Sequence, residues 1–499
     1  MAEVQKPDSA ALPQSGSLTD LQARYGDRYR WLLLLAVMTG TMASIMSSTI
    51  VNVAIPDLSH HFALDQGRAQ WVSSGFMVAM TVAMLTTPSL LTRFGARKTY
   101  VGTMLLLMAG GVLGGVAGQF WLVLLARLLE GLAAGAVQPI PALIIMRMFK
   151  SEEQGRASGI FGMGVVLAPA IGPSIGGVLV DWFGWRSIFF MVVPFCLLSI
   201  WMAYKFVPNT APGGLRPGQD SKRFDSIGLL LATIGILCLL NGLVELRAGN
   251  GLIAPGLLAA AAVSLVLFIG WQRRMVRGTG EPLMNLAVFG IRPFRMGSIV
   301  AFIYGTALFG STYLLPVYMQ LGLGLSASLV GLILLPAGLM LAVTIAIVGR
   351  LADRQPTWLL VSIGLALLAA SFALMPTVHL ESTIWLIVAW AILGRLGLGF
   401  ILPSLNLGSL RPLPVELLSP GSSVINFMRM LGGAAGVSLC GIVLEWRIAA
   451  HGALLQGAPD TARLAAFNET FMMLAGLCLL ALVAASQLRP LASDRTRKG

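Results

Sequence analysis

GIFGMGVVLAPAIGPSIGGVLV, residues Gly159 to Val180, carries six glycines, two prolines and no charge. In water such a run makes a poor helix, because glycine and proline both disfavour helix interiors. In hydrocarbon the backbone must satisfy its own hydrogen bonds, and a helix becomes the way to do so. Gly164, Ala168, Gly172 and Gly176 recur every four residues. They form a flat strip along one face, which lets a second helix approach closely. Pro169 and Pro173 each remove a backbone hydrogen bond and permit a bend at that contact. Two readings follow: a tightly packed membrane helix, or a bendable helix between two domains that rock against each other.

Composition places this run in a membrane. Hydrophobic residues are 56% of the 499 and charged residues 11%, where a soluble globular chain has roughly 25% charged. Mean hydropathy is +0.82. Fourteen apolar stretches of spanning length run from about residue 31 to residue 487, and the glycine-rich run is the fifth. The net charge of +13 is unevenly placed. Loops on the N-terminal side of the spans hold 26 Lys and Arg, and loops on the other side hold 5; Arg127, Arg395 and Arg429 lie inside spans. The positive-inside rule puts both termini in the cytoplasm of an inner membrane. The basic charge is therefore topology, and no nucleic-acid motif accompanies it. The first 29 residues are polar and lack a small-residue cleavage site, so the first span is expected to be the targeting signal. The four cysteines fall in apolar spans and read as small buried residues. No metal-ligand cluster and no phosphate loop is present, so neither metal, cofactor nor enzymatic activity is expected.

Polar residues inside the spans are the candidates for function. Thr41, Ser44, Ser48 and Asn52 lie three to four residues apart on the first span, hence on one face. That face meets either an aqueous cavity or a partner helix. Arg127 and Glu130 lie on the fourth span, roughly 12–18 Å from its outer end, near the bilayer midplane. An ionisable residue there costs at least about 2.5 kcal/mol to insert and is a functional hypothesis by default. Three apart, they can pair on one helix face. The pair reads as a site of proton handling or as a static ion pair. Alternation between apolar surroundings and an arginine partner is how a carboxylate loads and releases a proton. Arg395 and Arg429 make the interior electropositive or cap carbonyls at helix breaks. Phe76, Tyr304 and Tyr313, with 24 methionines, suit an adaptable apolar pocket or ordinary packing.

Several of these stretches match one known pattern. Gly172-Pro173-Ser174-Ile175-Gly176-Gly177, with Ala168-Pro169 before it, resembles the fifth-helix antiporter motif of the major facilitator superfamily. Thr49-Ile50-Val51-Asn52-Val53-Ala54-Ile55-Pro56 is similar to the first-helix signature of that superfamily's fourteen-span drug:proton antiporters. That signature has an aspartate where this chain has Ser47. Arg127-Leu128-Leu129-Glu130-Gly131 stands where the family commonly has glutamine in place of Glu130. Arg93-Phe94-Gly95-Ala96-Arg97-Lys98 resembles the family's loop motif, with Thr92 for its aspartate. Gly349-Arg350-Leu351-Ala352-Asp353-Arg354 is the second-half counterpart and keeps the aspartate. Tyr313 to Gln320 and Asn426 to Gly436 are similar to the ninth and thirteenth spans.

The resemblance implies an all-α integral membrane protein with the major facilitator fold and 14 helices. Its expected divisions are a cytoplasmic tail (1–30), a six-helix bundle (31–207), a linker (208–225) and two inserted helices (226–272). A loop (273–295), a second six-helix bundle (296–487) and a cytoplasmic tail (488–499) follow. It implies proton-coupled export of amphipathic or hydrophobic small molecules by alternating access, as in multidrug efflux. Glu130 and Arg127 are then the coupling pair. Ser44, Ser48, Asn52, Phe76, Tyr304, Tyr313, Arg395 and Arg429 line the cavity. Gly164, Ala168, Pro169, Gly172, Pro173, Gly176 and Gly177 form the conformational motif. Arg93, Gly95, Arg97, Lys98, Gly349, Asp353 and Arg354 form a loop latch. Partners are the substrate, protons, the lipid bilayer and, in a two-membrane bacterium, a periplasmic adaptor. A lipid or fatty-acid exporter of the same fold is the alternative, favoured by the arginines and by Ser47; a transporter-like sensor is the alternative of another class.

Overall fold

The computed structural model describes residues 18–64, 66–210, 224–247, 253–277, 282–380, 382–452 and 460–489. Most of the expected linker and large parts of both expected tails lie outside the described residues. The regular structure is helical: α1 (Leu18–Tyr25), α2 (Tyr29–His61), α3 (Gln66–Ala83), α4 (Thr87–Gly115), α5 (Phe120–Val137) and α6 (Ile140–Met148). There follow α7 (Gln154–Phe183), α8 (Ser187–Phe190), α9 (Val192–Phe206), α10 (Ser226–Arg247) and α11 (Ile253–Arg277). The last six are α12 (Arg292–Val317), α13 (Ala327–Leu351), α14 (Thr357–Leu374), α15 (Ile384–Leu410), α16 (Leu418–Ala450) and α17 (Thr461–Ser486).

Among the described residues, 12 segments are long and apolar enough to cross a membrane. Their outward faces are hydrocarbon: Leu265, Val266 and Leu267 on α11, Leu332 and Leu335 on α13, and Leu479 and Leu480 on α17 are all more than half exposed. An apolar surface of that extent is an aggregation liability in water and ordinary against lipid tails. The chain is a multi-pass membrane protein. One of the 12 segments, Trp71–Gly115, is 45 residues long and is broken at Gly95. With φ 77° and ψ 170° there, the backbone leaves the helical region for one that glycine alone adopts cheaply. Past the break, the Ala96 and Arg97 N–H groups donate to the Thr210 and Pro208 carbonyls.

The helices gather into two groups. In the first, α2 packs along α7 and α9, and α5 packs on α3 and α4. In the second, α12 packs along α16, and α15 on α13 and α14. The hairpin α10–α11 stands apart, with α10 reaching α3 of the first group and α16 of the second. The groups meet chiefly where α7 crosses α13. That crossing is backbone on backbone: a Cβ on Gly349 would lie 2.5 Å from Gly159 Cα and 2.6 Å from the Gly155 carbonyl oxygen. No larger residue fits there without parting the helices.

The small-residue strip of α7 faces elsewhere. Gly164 lies against Met38 and Met42, Gly172 against Thr49 and Gly176 against Ile50, all on α2. Ala168 is fully buried in the same row, and Gly177 faces open space. Hence the strip seats α7 within its own group. The contact between groups is made just before the strip, from about half a turn to two and a half turns earlier, by Gly162, Gly159 and Gly155.

Candidate functional site

Arg127 and Glu130 project from α5 into the interior of the first group, each side chain 1% exposed. Arg127 Nη1 donates to Glu130 Oε2 at 2.5 Å. The same guanidinium donates from Nε to the Val72 carbonyl (3.1 Å) and from Nη1 to the Ser47 carbonyl (3.2 Å) and Ser47 Oγ (3.3 Å). Its flat face lies 4.3 Å from the Phe76 ring centroid, a cation–π contact. Glu130 fits because α4 offers Gly110 and Gly111 beside it; a Cβ on Gly110 would sit 2.7 Å from Glu130 Cγ. Arg127 Nη2 and Glu130 Oε1 are buried and have no hydrogen-bond partner among the described residues. Buried polar atoms normally find a partner, so Nη2 is a donor open to a water or an anion, and Oε1 is an acceptor open to a water or a proton. Ser47 is therefore drawn into the site from another helix, at the position where the antiporter signature has its acid.

The other arginines stand apart from this pair. Arg429 Nη2 donates to Asn426 Oδ1 at 2.7 Å and reaches Gln138 Oε1 of the first group at 3.5 Å. Arg429 and Arg395 both lie within electrostatic reach of buried Tyr304. Among the described residues neither has a carboxylate within ion-pair distance. The space beside Arg429, between the groups, holds only about 20 Å³, room for one water molecule. Here the two groups are shut against each other.

That closure continues to the basic face, the side of the bundle carrying residues 93–98, 150–156, 349–354 and 411. Asp353 accepts from the Gly155 and Arg156 N–H groups at 2.6 and 2.8 Å, at the start of α7. Arg411 Nη2 stands 3.5 Å from Asp353 Oδ1 and donates to the Ser151 carbonyl, while its Nε donates to Gln154 Oε1. Arg147 donates to the Val415 carbonyl and Ser422 to the Pro139 carbonyl, both across the groups. Of the other expected latch residues, Arg97 holds the Val207 carbonyl within the first group, and the Arg93 guanidinium lies over the Phe224 ring. Lys98 and Arg354 are exposed.

On the opposite face a cleft of about 580 Å³ lies between the groups, with α10 as its third wall. Ser73, Ser74 and Met77 of α3, Asn241 and Glu245 of α10, and Ser438 of α16 line it. Of the residues expected to line a cavity, Asn52 touches this cleft, through the hydrogen bond from Ser73 Oγ to its Oδ1 (2.8 Å). Ser44 and Ser48 turn back to carbonyls of their own helix. Phe76 is spent under Arg127, Tyr304 is buried near Arg429, and Tyr313 is half-buried against the core. Sequence reasoning passed over Asn241 and Glu245, although their spacing of four on one apolar span carried the same signal as Ser44 and Ser48.

Two groups of membrane helices closed on one face and parted on the other define a membrane transporter. Residues 37–437 match the Major Facilitator Superfamily, and the chain belongs to that family. It is 28% identical to a multidrug resistance protein B homolog of Mycobacterium tuberculosis over 444 residues, 88% of this chain and 80% of that one. It is 29% identical to the tetracenomycin C resistance and export protein of Streptomyces glaucescens, over 84% of this chain and 76% of that one. An uncharacterized MFS-type transporter of Bacillus subtilis, YhcA, is 26% identical over 86% of this chain and 79% of its own. Among solved structures, the human organic anion transporter MFSD10 superposes with a TM-score of 0.66 at 14% identity, covering 91% of this chain and 99% of that one. The proton:xylose symporter XylE superposes with a TM-score of 0.64 at 13% identity, covering 92% and 95%. These two likenesses are of fold.

Proposed function

We propose that the chain exports amphipathic or hydrophobic small molecules, driven by protons returning through Glu130. The observation that carries this reading is the buried cluster of Ser47, Arg127 and Glu130. Glu130 Oε1 is an acceptor with no partner among the described residues, so a proton can add there while Arg127 keeps its bonds to the Val72 and Ser47 carbonyls. Protonation cancels the carboxylate charge and frees Arg127 from its ion pair within α5, so the bonds that tie α5 to α2 and α3 are then carried by an unpaired guanidinium. Deprotonation restores the pair. The multidrug and tetracenomycin resistance proteins among the relatives support the substrate class.

The proposed architecture has fourteen spans in two six-helix halves, with α10 and α11 inserted. A straight helix of 45 residues would run about 68 Å, more than twice the ~30 Å hydrocarbon core, and the break at Gly95 divides it into two crossings. The 30-residue α7 supplies one further crossing. The basic face is cytoplasmic by the charge rule, which makes this an outward-open form with the latch at Asp353 closed.

Glu130→Gln tests the coupling. Reconstituted with an imposed proton gradient, the native chain is expected to show substrate-triggered proton flux, and the variant to bind substrate without flux or export. Unchanged export by a well-folded variant would sink the assignment. A second reading, export of an anionic lipid, is favoured by Arg395 and Arg429, which lack an acidic partner among the described residues. Movement of labelled anionic lipid without flux for any amphipathic cation would select it.

A further inference from the structure

A second large space lies outside the seam between the groups. It is a groove of about 750 Å³ on the membrane-facing side, between the first group and α10. Its floor is α5 at Leu124, Leu128 and Leu132; its walls are α3–α4 and the Leu229–Leu237 stretch of α10. It runs from Trp71 to Phe94, about 35 Å of helix, so it crosses the full depth of the hydrocarbon. Gly102 opens into it with no atom within 4 Å of where a Cβ would lie. The medium beside this groove is lipid, and an acyl chain lying in it makes dispersion contacts with its apolar walls.

One charge marks one end. Lys98 lines the groove at the basic face and is exposed. It makes no hydrogen bond or ion pair with a described residue, unlike Arg97 beside it, which holds the Val207 carbonyl. Thr99 and Thr103 lie just inside from it. An ammonium at headgroup depth above a hydrocarbon trough complements an acyl chain with an anionic head, and the anionic lipids of a bilayer leaflet present that head as a phosphate. We propose that the groove is a phospholipid site. An anionic phospholipid of the leaflet on the basic face lays one acyl chain along α5 and sets its phosphate on Lys98. The lipid thereby fills the gap between the first group and α10, the helix that also touches the second group.

Photolabelling of the full chain tests this. The chain is reconstituted in phosphatidylethanolamine vesicles containing phosphatidylglycerol with a photoactivatable acyl chain, irradiated, and mapped by peptide mass spectrometry. Labelling is expected to concentrate on peptides lining the groove. Gly102→Trp, which fills the trough without a backbone clash, should reduce that labelling severalfold relative to the rest of the lipid-facing belt. Thr233→Trp on the opposite wall serves as the second filling variant. Lys98→Gln should keep the labelling and lose severalfold the preference over a phosphatidylcholine analogue. Even labelling around the belt, or labelling unmoved by both tryptophans, overturns the proposal. Displacement of the lipid by micromolar ethidium also overturns it, making the groove a substrate path. None of these readouts uses transport, so the export reading stands or falls separately.

Discussion

Asp353→Ala is expected to open the basic face. Its carboxylate joins the two groups through the Gly155 and Arg156 N–H groups and approaches Arg411. Those N–H groups belong to the first turn of α7, where the helix offers them no partner. A hydrogen bond to a charged group is worth about 1.5–3 kcal/mol net of water. The ion pair adds at most about 1 kcal/mol, since the Arg411 side chain is 29% exposed. Taking the low end for both hydrogen bonds and nothing for the arginine leaves about 3 kcal/mol, roughly a 100-fold shift in the closed-to-open ratio. Spin labels at exposed Glu152 and Glu416, with the four native cysteines replaced, flank the contact and report its width by pulsed dipolar spectroscopy. The native chain should give a short, narrow distance distribution on this face; Asp353→Ala should move most of it to longer distances. Asp353→Asn, which keeps one acceptor oxygen and loses the charge, should fall between the two. An unchanged distribution in Asp353→Ala would refute the latch and leave the closure to the glycine crossing and to the bonds from Arg147, Arg411 and Ser422.

Gly349→Leu should force the same opening by sterics, because its Cβ has backbone within 2.6 Å on two sides; the same spin labels check it, and a closed distribution would count against backbone contact at the crossing. Arg127→Leu leaves the Glu130 carboxylate buried and alone and should cost about 3–5 kcal/mol, read as a lower unfolding temperature. The double change Arg127→Leu with Glu130→Leu should recover most of that loss, since replacing both partners by apolar groups removes the desolvation cost as well as the pair. Ser47→Asp added to Glu130→Gln places an acid within reach of Arg127 from α2 instead of α5, and is expected to restore substrate-triggered proton flux in proteoliposomes. Flux absent from that double variant, despite native folding, would mean that the acid must sit on α5.

What the sequence disclosed depended on how far each signal had to reach. Apolar run length and the Lys/Arg bias are sums over many residues. The lipid-facing helices and the basic face follow from them without any tertiary knowledge. The Arg127–Glu130 pair was legible for a related reason: two ionisable residues three apart in hydrocarbon have few other ways to be satisfied. The cavity was not legible at that level. A small polar residue on a membrane helix can bond back to its own i−3 or i−4 carbonyl, as Ser44 and Ser48 do, and then it marks no water at all. An aromatic can be consumed beneath a cation, as Phe76 is. Facing direction separates these cases from Asn52, Asn241 and Glu245, and direction is fixed only by the neighbouring helices. The glycines of α7 make the same point: one helix carries two small-residue surfaces, one for α2 and one for α13, and spacing alone does not tell which is which. The difference is physical. The strip from Gly164 to Gly176 meets side chains, which can shift as the protein moves, whereas Gly155 and Gly159 meet the backbone of Gly349 and Ile345, which cannot. Closure of the two groups is therefore set at Gly155 and Gly159 against Gly349, and Asp353 is placed one turn beyond Gly349, where its carboxylate bonds to the start of α7 and adds to that contact.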